Sequence, residues 1–225
     1  MKKYYEAYEE RYKKIHAETG LAWAGEKPSP TILKLLKKYN VSKDSTILDL
    51  GCGEGQNALY IMKHKYNVEG CDISKEAIEW CKNKAREKKL NENNFFVMDI
   101  LKNNLKKKYD FIYSVAVLHM LVEEKDRLKF LVFIRKHLKE NGKAFIIVMG
   151  DGKEERRSDT TKAFELADRP FGDSIVKVAT TSCRMVNWEK LLEEMDNANL
   201  KVLNYYNDKT ISGFVNSMVV EVENY

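Results

Sequence analysis

At 225 residues, with 44% apolar and 32% charged side chains, the chain can bury one sizeable core and needs no second one. Its 39 basic residues exceed the 34 acidic ones by a net +5, but the excess is scattered rather than gathered on one face, which disfavours a nucleic-acid partner. Tyrosines and charges follow Met1-Lys-Lys in place of a signal peptide, and no apolar run approaches the roughly 20 residues of a membrane span, so the expectation is a soluble, cytoplasmic protein with no membrane partner.

Two helical patterns open the chain. Tyr5, Tyr8, Tyr12 and Ile15 share a face at helical spacing. Trp23 follows in Gly20-Leu-Ala-Trp-Ala-Gly25, and the aromatic-rich start suggests a cover over whatever the core binds. Ser29-Pro30 offers an N-cap and a proline for the first turn, and Ile32, Leu35, Leu36 and Tyr39 continue at i, i+3, i+4, i+7. Residues 1–40 are therefore assigned as an N-terminal helical lid on a single domain spanning 41–225.

From residue 46 strands and helices alternate. The spacing predicts strands over 46–50, 67–71, 94–97, 110–115 and 143–149. Helices are predicted over 56–64, 75–88 and 124–139, the last stopped by Asn141-Gly142. Such alternation implies a mainly parallel, doubly wound sheet with helices on both faces, and the apolar runs suit strands buried on both sides. Residues 150–186 break the rhythm. They are polar, carry Arg156, Arg157, Arg169 and Arg184, and read as an insertion at the substrate. Trp188, Leu191, Leu192 and Met195 mark a further helix. Strands over 200–206 and 214–223 are too close together for a helical crossover, so they should close the seven-stranded sheet as an antiparallel hairpin.

The chemistry gathers at strand ends. Thr46-Ile-Leu-Asp-Leu-Gly-Cys-Gly-Glu-Gly55 is an apolar strand, an acid and three alternate glycines, followed at once by a helix. Glycines there let backbone approach a ligand closely, and the helix start offers free N–H groups. Asp72 ends the second strand, where a carboxylate can accept from both hydroxyls of a ribose. Asp99 ends the third; it could accept from an adenine amino group while Ile100 packs on the ring. The four cysteines, Cys52, Cys71, Cys81 and Cys183, have no spacing suited to zinc and read as reduced structural thiols, so no metal is expected.

These features together resemble the class I, Rossmann-like S-adenosylmethionine-dependent methyltransferases. The resemblance rests on Asp49-Leu-Gly-Cys-Gly-Glu-Gly55, Asp72, Asp99, the stretch from Tyr109 to Leu121, and Leu138-Lys-Glu-Asn-Gly-Lys-Ala-Phe-Ile-Ile147. Gly55-Gln-Asn-Ala-Leu-Tyr-Ile61 is also similar to the tellurite-resistance and thiopurine-type small-molecule branch. The resemblance implies S-adenosylmethionine as cofactor. Gly51, Cys52 and Gly53 would run along its methionine part, with Asp49 holding the loop or the amino group. Asp72 with Ile73 would take the ribose, Asp99 with Ile100 the adenine, and Ser114 would offer a carbonyl near the amino group. His119 is the histidine placed to act as acid or base, with lining the pocket and packing as its other roles. His16, His64 and His137 read as solvated. Tyr12 would bound the acceptor, and Trp23 the acceptor or the cofactor. The fourth strand ends in Ser114-Val-Ala-Val117 with no proline, unlike enzymes that methylate amino groups of bases. A small-molecule acceptor is therefore expected, with a protein or RNA methyltransferase, or a silent cofactor-binding protein, as alternatives.

Overall fold

In the computed structural model, residues 2–23, 27–172, 174–209 and 215–225 are described. Ala24 and Gly25 of the aromatic segment and Phe214 of the last predicted strand lie outside them.

Helices α1 (Ala7–Thr19) and α2 (Pro30–Lys38) come first. Pro30 occupies the first turn as expected, but the Ser29 hydroxyl does not cap it; that oxygen is buried without a partner, while the Ser29 N–H donates to Asn57 Oδ1 at 2.8 Å. The core alternates β1 (Thr46–Leu50), α3 (Gln56–Lys63), β2 (Asn67–Asp72), α4 (Lys75–Glu87), β3 (Phe95–Val97), β4 (Tyr109–Val115), α5 (Glu124–His137) and β5 (Leu138–Met149). Four short strands follow: β6 (Arg156–Arg157), β7 (Leu166–Phe171), β8 (Ser174–Ala179) and β9 (Arg184–Met185). α6 (Trp188–Asn197), β10 (Leu200–Asp208) and β11 (Ser217–Asn224) complete the chain.

Seven strands form one sheet in the order β10-β11-β5-β4-β1-β2-β3. β1 pairs in parallel with both β2 and β4, and β11 is antiparallel to β5 and to β10. Side chains alternate between two cores, as the period of a strand requires. Ile112, Ile146 and Val148 face α5 and α6, together with Phe130, Ile134, Leu191 and Met195. Phe111, Tyr113, Phe145 and Ile147 face α2, α3 and α4, with Ile32, Leu36, Ala58, Ile61 and Ile78. Burial on both faces explains why these strands read as unbroken apolar runs. Among the described residues, no helix is long and apolar enough to cross a membrane.

Two expectations need correction. α5 ends at His137, before Asn141-Gly142, because buried Leu138 is already extended and paired with Tyr109. The ladder resumes at Lys143 opposite Phe111, and Asn141 (φ 63°) turns the chain in the excursion between them. The insertion is not irregular either. β7 and β8 form an antiparallel hairpin with Phe171 opposite Ser174, while β6 pairs with β9. α1 lies between this hairpin and α4: Ile15 packs on Val176 and Val178, while Tyr8 and Tyr12 pack with Ala77.

One ion pair joins the helices behind β4. Arg127, 1% exposed, donates through Nε and Nη2 to the two oxygens of Glu194, at 2.7 and 2.6 Å. Its Nη1 reaches the Leu118 carbonyl at 2.8 Å. Removing one member of such a pair strands the other charge. Glu194→Ala should therefore lower unfolding free energy by roughly 3–5 kcal/mol in urea titrations. The apolar pair Arg127→Met with Glu194→Leu should recover most of that loss.

Candidate active site

β1 ends at Leu50, where the sheet order reverses between β4 and β2, the usual place for a ligand crevice in open α/β sheets. The chain then turns over the end of β2. The N–H groups of Gly51 and Cys52 both donate to the Cys71 carbonyl, at 2.8 and 2.9 Å. Gly51 (φ 76°) and Gly53 (φ 53°) hold left-handed backbone. A Cβ on Gly51 would collide with Val117, and one on Gly53 would stand 2.8 Å from the Tyr12 hydroxyl. Glycine is thus required here for space as well as for conformation.

Asp72 is tied to this loop. Its Oδ2 accepts the Gly53 N–H and its Oδ1 the Ser74 N–H, each at 2.9 Å. Burial pushes its carboxyl up from the ordinary range, and the Ser74 and Gly53 N–H groups pull it back. An ionised carboxylate has about four acceptor sites, so capacity remains toward the cavity. Asp99 stands just beyond β3. Its Oδ1 accepts the Leu101 N–H at 3.0 Å, and its Oδ2 meets Lys102 at 2.8 Å and the Tyr5 hydroxyl at 3.4 Å.

Gly51, Cys52, Gly53, Asp72 with Ile73, and Asp99 with Ile100 all line one cavity of about 960 Å³. That is near the upper end of small-molecule sites, roughly 300–1,000 Å³. The opposite wall comes from α1, Trp23 and the hairpin β7–β8. Tyr8 donates its hydroxyl to the Ser182 carbonyl at 2.8 Å. Trp23 stacks on Tyr8 with ring centres 5.9 Å apart and meets Tyr12 edge-on at 5.2 Å. The Trp23 N–H donates to Glu54 of the glycine loop at 2.6 Å.

His16 fastens the same joint. Its Nε2 lies 2.7 Å from Glu54, its Nδ1 2.9 Å from Glu76, and its ring stacks on Trp80. The expected solvation of His16 fails because α1 lies against α4 and the glycine loop. His137 is buried as well: the Leu105 N–H donates to its Nε2 at 3.0 Å. His64 is exposed, as expected.

Two of the cofactor residues expected from the sequence lie off the cavity wall. Asp49, 1% exposed, sits behind the glycine loop and accepts the Tyr113 hydroxyl at 2.9 Å; burial pushes its carboxyl up to about 8. Ser114 is fully buried in mid-ladder opposite Ile146, and the wall is built from the next residues, Val115, Ala116 and Val117. His119 does line the cavity. Its Nδ1 accepts the Met149 N–H at 3.4 Å, which leaves the ring proton on Nε2. Burial, reinforced by Arg127, pushes the ring down to about 3. A ring so hard to protonate is poorly suited to the general-base role among those expected of His119.

Residues 47–142 match the family model described as a methyltransferase domain. The fold agrees over nearly the whole chain. The CcbJ methyltransferase of Streptomyces caelestis superposes with a TM-score of 0.72, covering 96% of this chain and 98% of that one at 14% identity. Residues 47–142 thus match a methyltransferase domain, and the fold around them is that of solved S-adenosylmethionine-dependent methyltransferases. Sequence relatives of this methyltransferase domain match over shorter stretches. One is the 2-heptyl-1-hydroxyquinolin-4(1H)-one methyltransferase of Mycobacteroides abscessus, 38% identical over 78 residues, 35% of this chain and 34% of that protein. Another is the ribosomal protein L11 methyltransferase of Campylobacter concisus, 29% identical over 136 residues, 60% of this chain and 46% of that protein. The chain thus spans less than half the length of these curated relatives.

Outside residues 47–142 lies a wall residue that the sequence reading passed over. Arg11 is 9% exposed and lines the cavity. It stands three residues after Tyr8 and four before Ile15, so a charge on the apolar stripe of α1 was the visible signal. Of the arginines expected from the insertion, Arg156 and Arg169 reach the cavity, whereas Arg157 and Arg184 pair with Glu123 and Glu124.

His119 has a consequence for pH. The unfolded chain takes up its proton near the ordinary histidine value, while the folded ring resists down to about 3. Its contribution to stability is therefore complete above the ordinary value and is lost as pH falls from there toward 3. Between about pH 6 and 4, His119→Gln should shed up to about 1.4 kcal/mol per pH unit of acid destabilisation relative to the parent in denaturant titrations.

Proposed function

We propose that this protein transfers the methyl group of S-adenosylmethionine to a small molecule held between the sheet and the roof made by α1 and β7–β8. The observation that carries this is a single cavity with the glycine loop, Asp72 and Asp99 at its floor and a separate, aromatic and cationic roof. The chain fits the cofactor on its own features. Gly51 and Gly53 both line the cavity, and Asp72 keeps acceptor sites facing it. Gln56 Oε1, at the start of α3 on the same wall, is buried without a partner.

In this reading Gly51, Cys52 and Gly53 hold the methionine part, Asp72 with Ile73 the ribose, and Asp99 with Ile100 the adenine. Asp49 and Ser114 support the loop and β4 from behind. When bound, the cofactor supplies a methyl carbon already activated on a sulfonium. The chain's own residues position the acceptor and exclude water, and orientation of this kind supplies on the order of 7–11 kcal/mol. Tyr12 and Trp23 bound the acceptor. His119, neutral, shapes the wall and leaves proton loss to the acceptor itself.

A roof of α1 and a β-hairpin over the floor favours a compact acceptor over a protein or RNA surface. The name of the Mycobacteroides relative also states a small heterocyclic acceptor. Incubation with methyl-labelled S-adenosylmethionine, a metabolite extract and an RNA-containing protein lysate tests this choice. Label in the small-molecule fraction supports the proposal, and label in protein or RNA overturns it. Cofactor binding with no label in any fraction would identify a silent protein of the same fold.

Asp72→Ala should weaken binding of S-adenosylhomocysteine by about 1–3 kcal/mol in calorimetry, the scale of hydrogen bonds to a charged group. Unchanged affinity would remove Asp72 from the ribose site.

A further inference from the structure

The charges on the cavity wall are sorted. Among the described lining residues the carboxylates are Asp72 and Asp99, both at the floor; Arg11, Arg156 and Arg169 belong to the roof elements α1, β6 and β7, and Lys27 to the segment between α1 and α2. Elsewhere four arginines hold carboxylates: Arg86 holds Glu92, Arg127 holds Glu194, Arg157 holds Glu123 and Arg184 holds Glu124, while Arg135, away from the cavity, holds none among the described residues. Arg11, Arg156 and Arg169 hold no carboxylate among the described residues.

Arg11 is the most telling of the three. Its Nε and Nη2 donate to the Ala179 carbonyl, and Nη2 also to the Thr180 carbonyl at 2.6 Å. Its guanidinium lies over the Trp23 ring, 4.9 Å from the centre. These contacts satisfy donors and leave the charge uncompensated, and Nη1 has no hydrogen bond among the described residues. Burial, and Arg169 alongside, push its pKa down to about 10. Arg169 itself is exposed, with no partner among the described residues. Arg11 and Arg169 thus line one cavity, the first buried and the second exposed, and neither holds a carboxylate among the described residues; a buried guanidinium with no acid beside it is costly unless an anion joins it.

Resting on the acceptor chamber proposed above, we infer that Arg11 and Arg169 form a clamp for a carboxylate on the methyl acceptor. The planar forks of two arginines match the two oxygens of a carboxylate. Tyr8, Trp23 and Phe171 beside them offer flat apolar walls to the body of such a molecule. The sorting of charge also orients the occupants. The hydroxyl-rich nucleoside goes to the acids of the floor, and the anion goes to the cations of the roof.

The test uses benzoate as probe and benzamide as its neutral isostere, titrated into the full-length protein with and without S-adenosylhomocysteine and followed by Trp fluorescence and calorimetry. Benzoate should bind at least tenfold more tightly than benzamide. Arg169→Gln, at an exposed position, should cost benzoate at least tenfold and leave S-adenosylhomocysteine within twofold. Arg11→Lys keeps the charge and loses the fork, and should fall between parent and Arg169→Gln. Equal binding of the two probes, or benzoate binding indifferent to Arg169→Gln, overturns the clamp. If the arginine variants instead weaken S-adenosylhomocysteine but not methylthioadenosine, which lacks the carboxylate, the clamp belongs to the cofactor and the inference fails. Benzoate is also titrated into the free protein. Failure to bind S-adenosylhomocysteine would therefore strike the methyltransferase proposal and leave the clamp to be judged on benzoate alone.

Discussion

The loop from Gly51 to Gly55 is gripped from three sides, and the site depends on that grip. From the sheet, Asp72 takes the Gly53 N–H and Cys71 takes those of Gly51 and Cys52. From β4, Val117 presses on Gly51. From the roof, Tyr12 stands over Gly53, while Trp23 and His16 both bond Glu54. A loop this constrained presents its backbone in one arrangement, so binding energy is not spent ordering it. The same contacts make the roof and the floor one mechanical unit: α1 cannot shift without disturbing the glycines beneath it.

That coupling explains how a short N-terminal helix contributes to a site formed mainly by strand ends. α1 is held by α4 on one side, where Ser74 Oγ bonds Glu9, and on the other by β8 through Arg11 and by the segment after β8 through Tyr8. Its tyrosines thereby become cavity wall. The chemistry proposed for the chamber is restrained, because burial lowers the basicity of the wall histidine and the lining carboxylates sit at the floor. Positioning and exclusion of water are the contributions these residues can make, and they suit an acceptor whose reactive atom needs little help with its proton.

Much of the sheet was legible because strands buried on both faces leave apolar runs, and because Asp49, Asp72 and Asp99 punctuate their ends. What escaped has physical causes. Asp49 and Asp72 look alike in sequence, yet one faces Tyr113 behind the loop and the other faces the cavity; the direction in which a side chain leaves a strand end is set by the turn that follows. Ser114 stands off the wall because it lies within β4, whose lining of the cavity begins at Val115. The β7–β8 hairpin was masked by charge, although Gly172-Asp173 ahead of Ser174-Ile-Val-Lys-Val-Ala179 is a two-residue turn signal followed by a strand pattern. The burial of His16 and the place of Arg11 on the wall escaped because their partners come from the glycine loop, α4 and the end of β8, which no local pattern reveals.

The central claim is that consecutive strand ends converge on one adenosine. A crystal structure of the protein grown with S-adenosylhomocysteine tests it most directly. The account predicts both ribose hydroxyls within hydrogen-bond distance of the Asp72 carboxylate and the adenine edge at Asp99, with the homocysteine chain over Gly51 and Gly53. An adenosine seated under β7–β8 instead, with Asp72 and Asp99 facing only solvent, would contradict it.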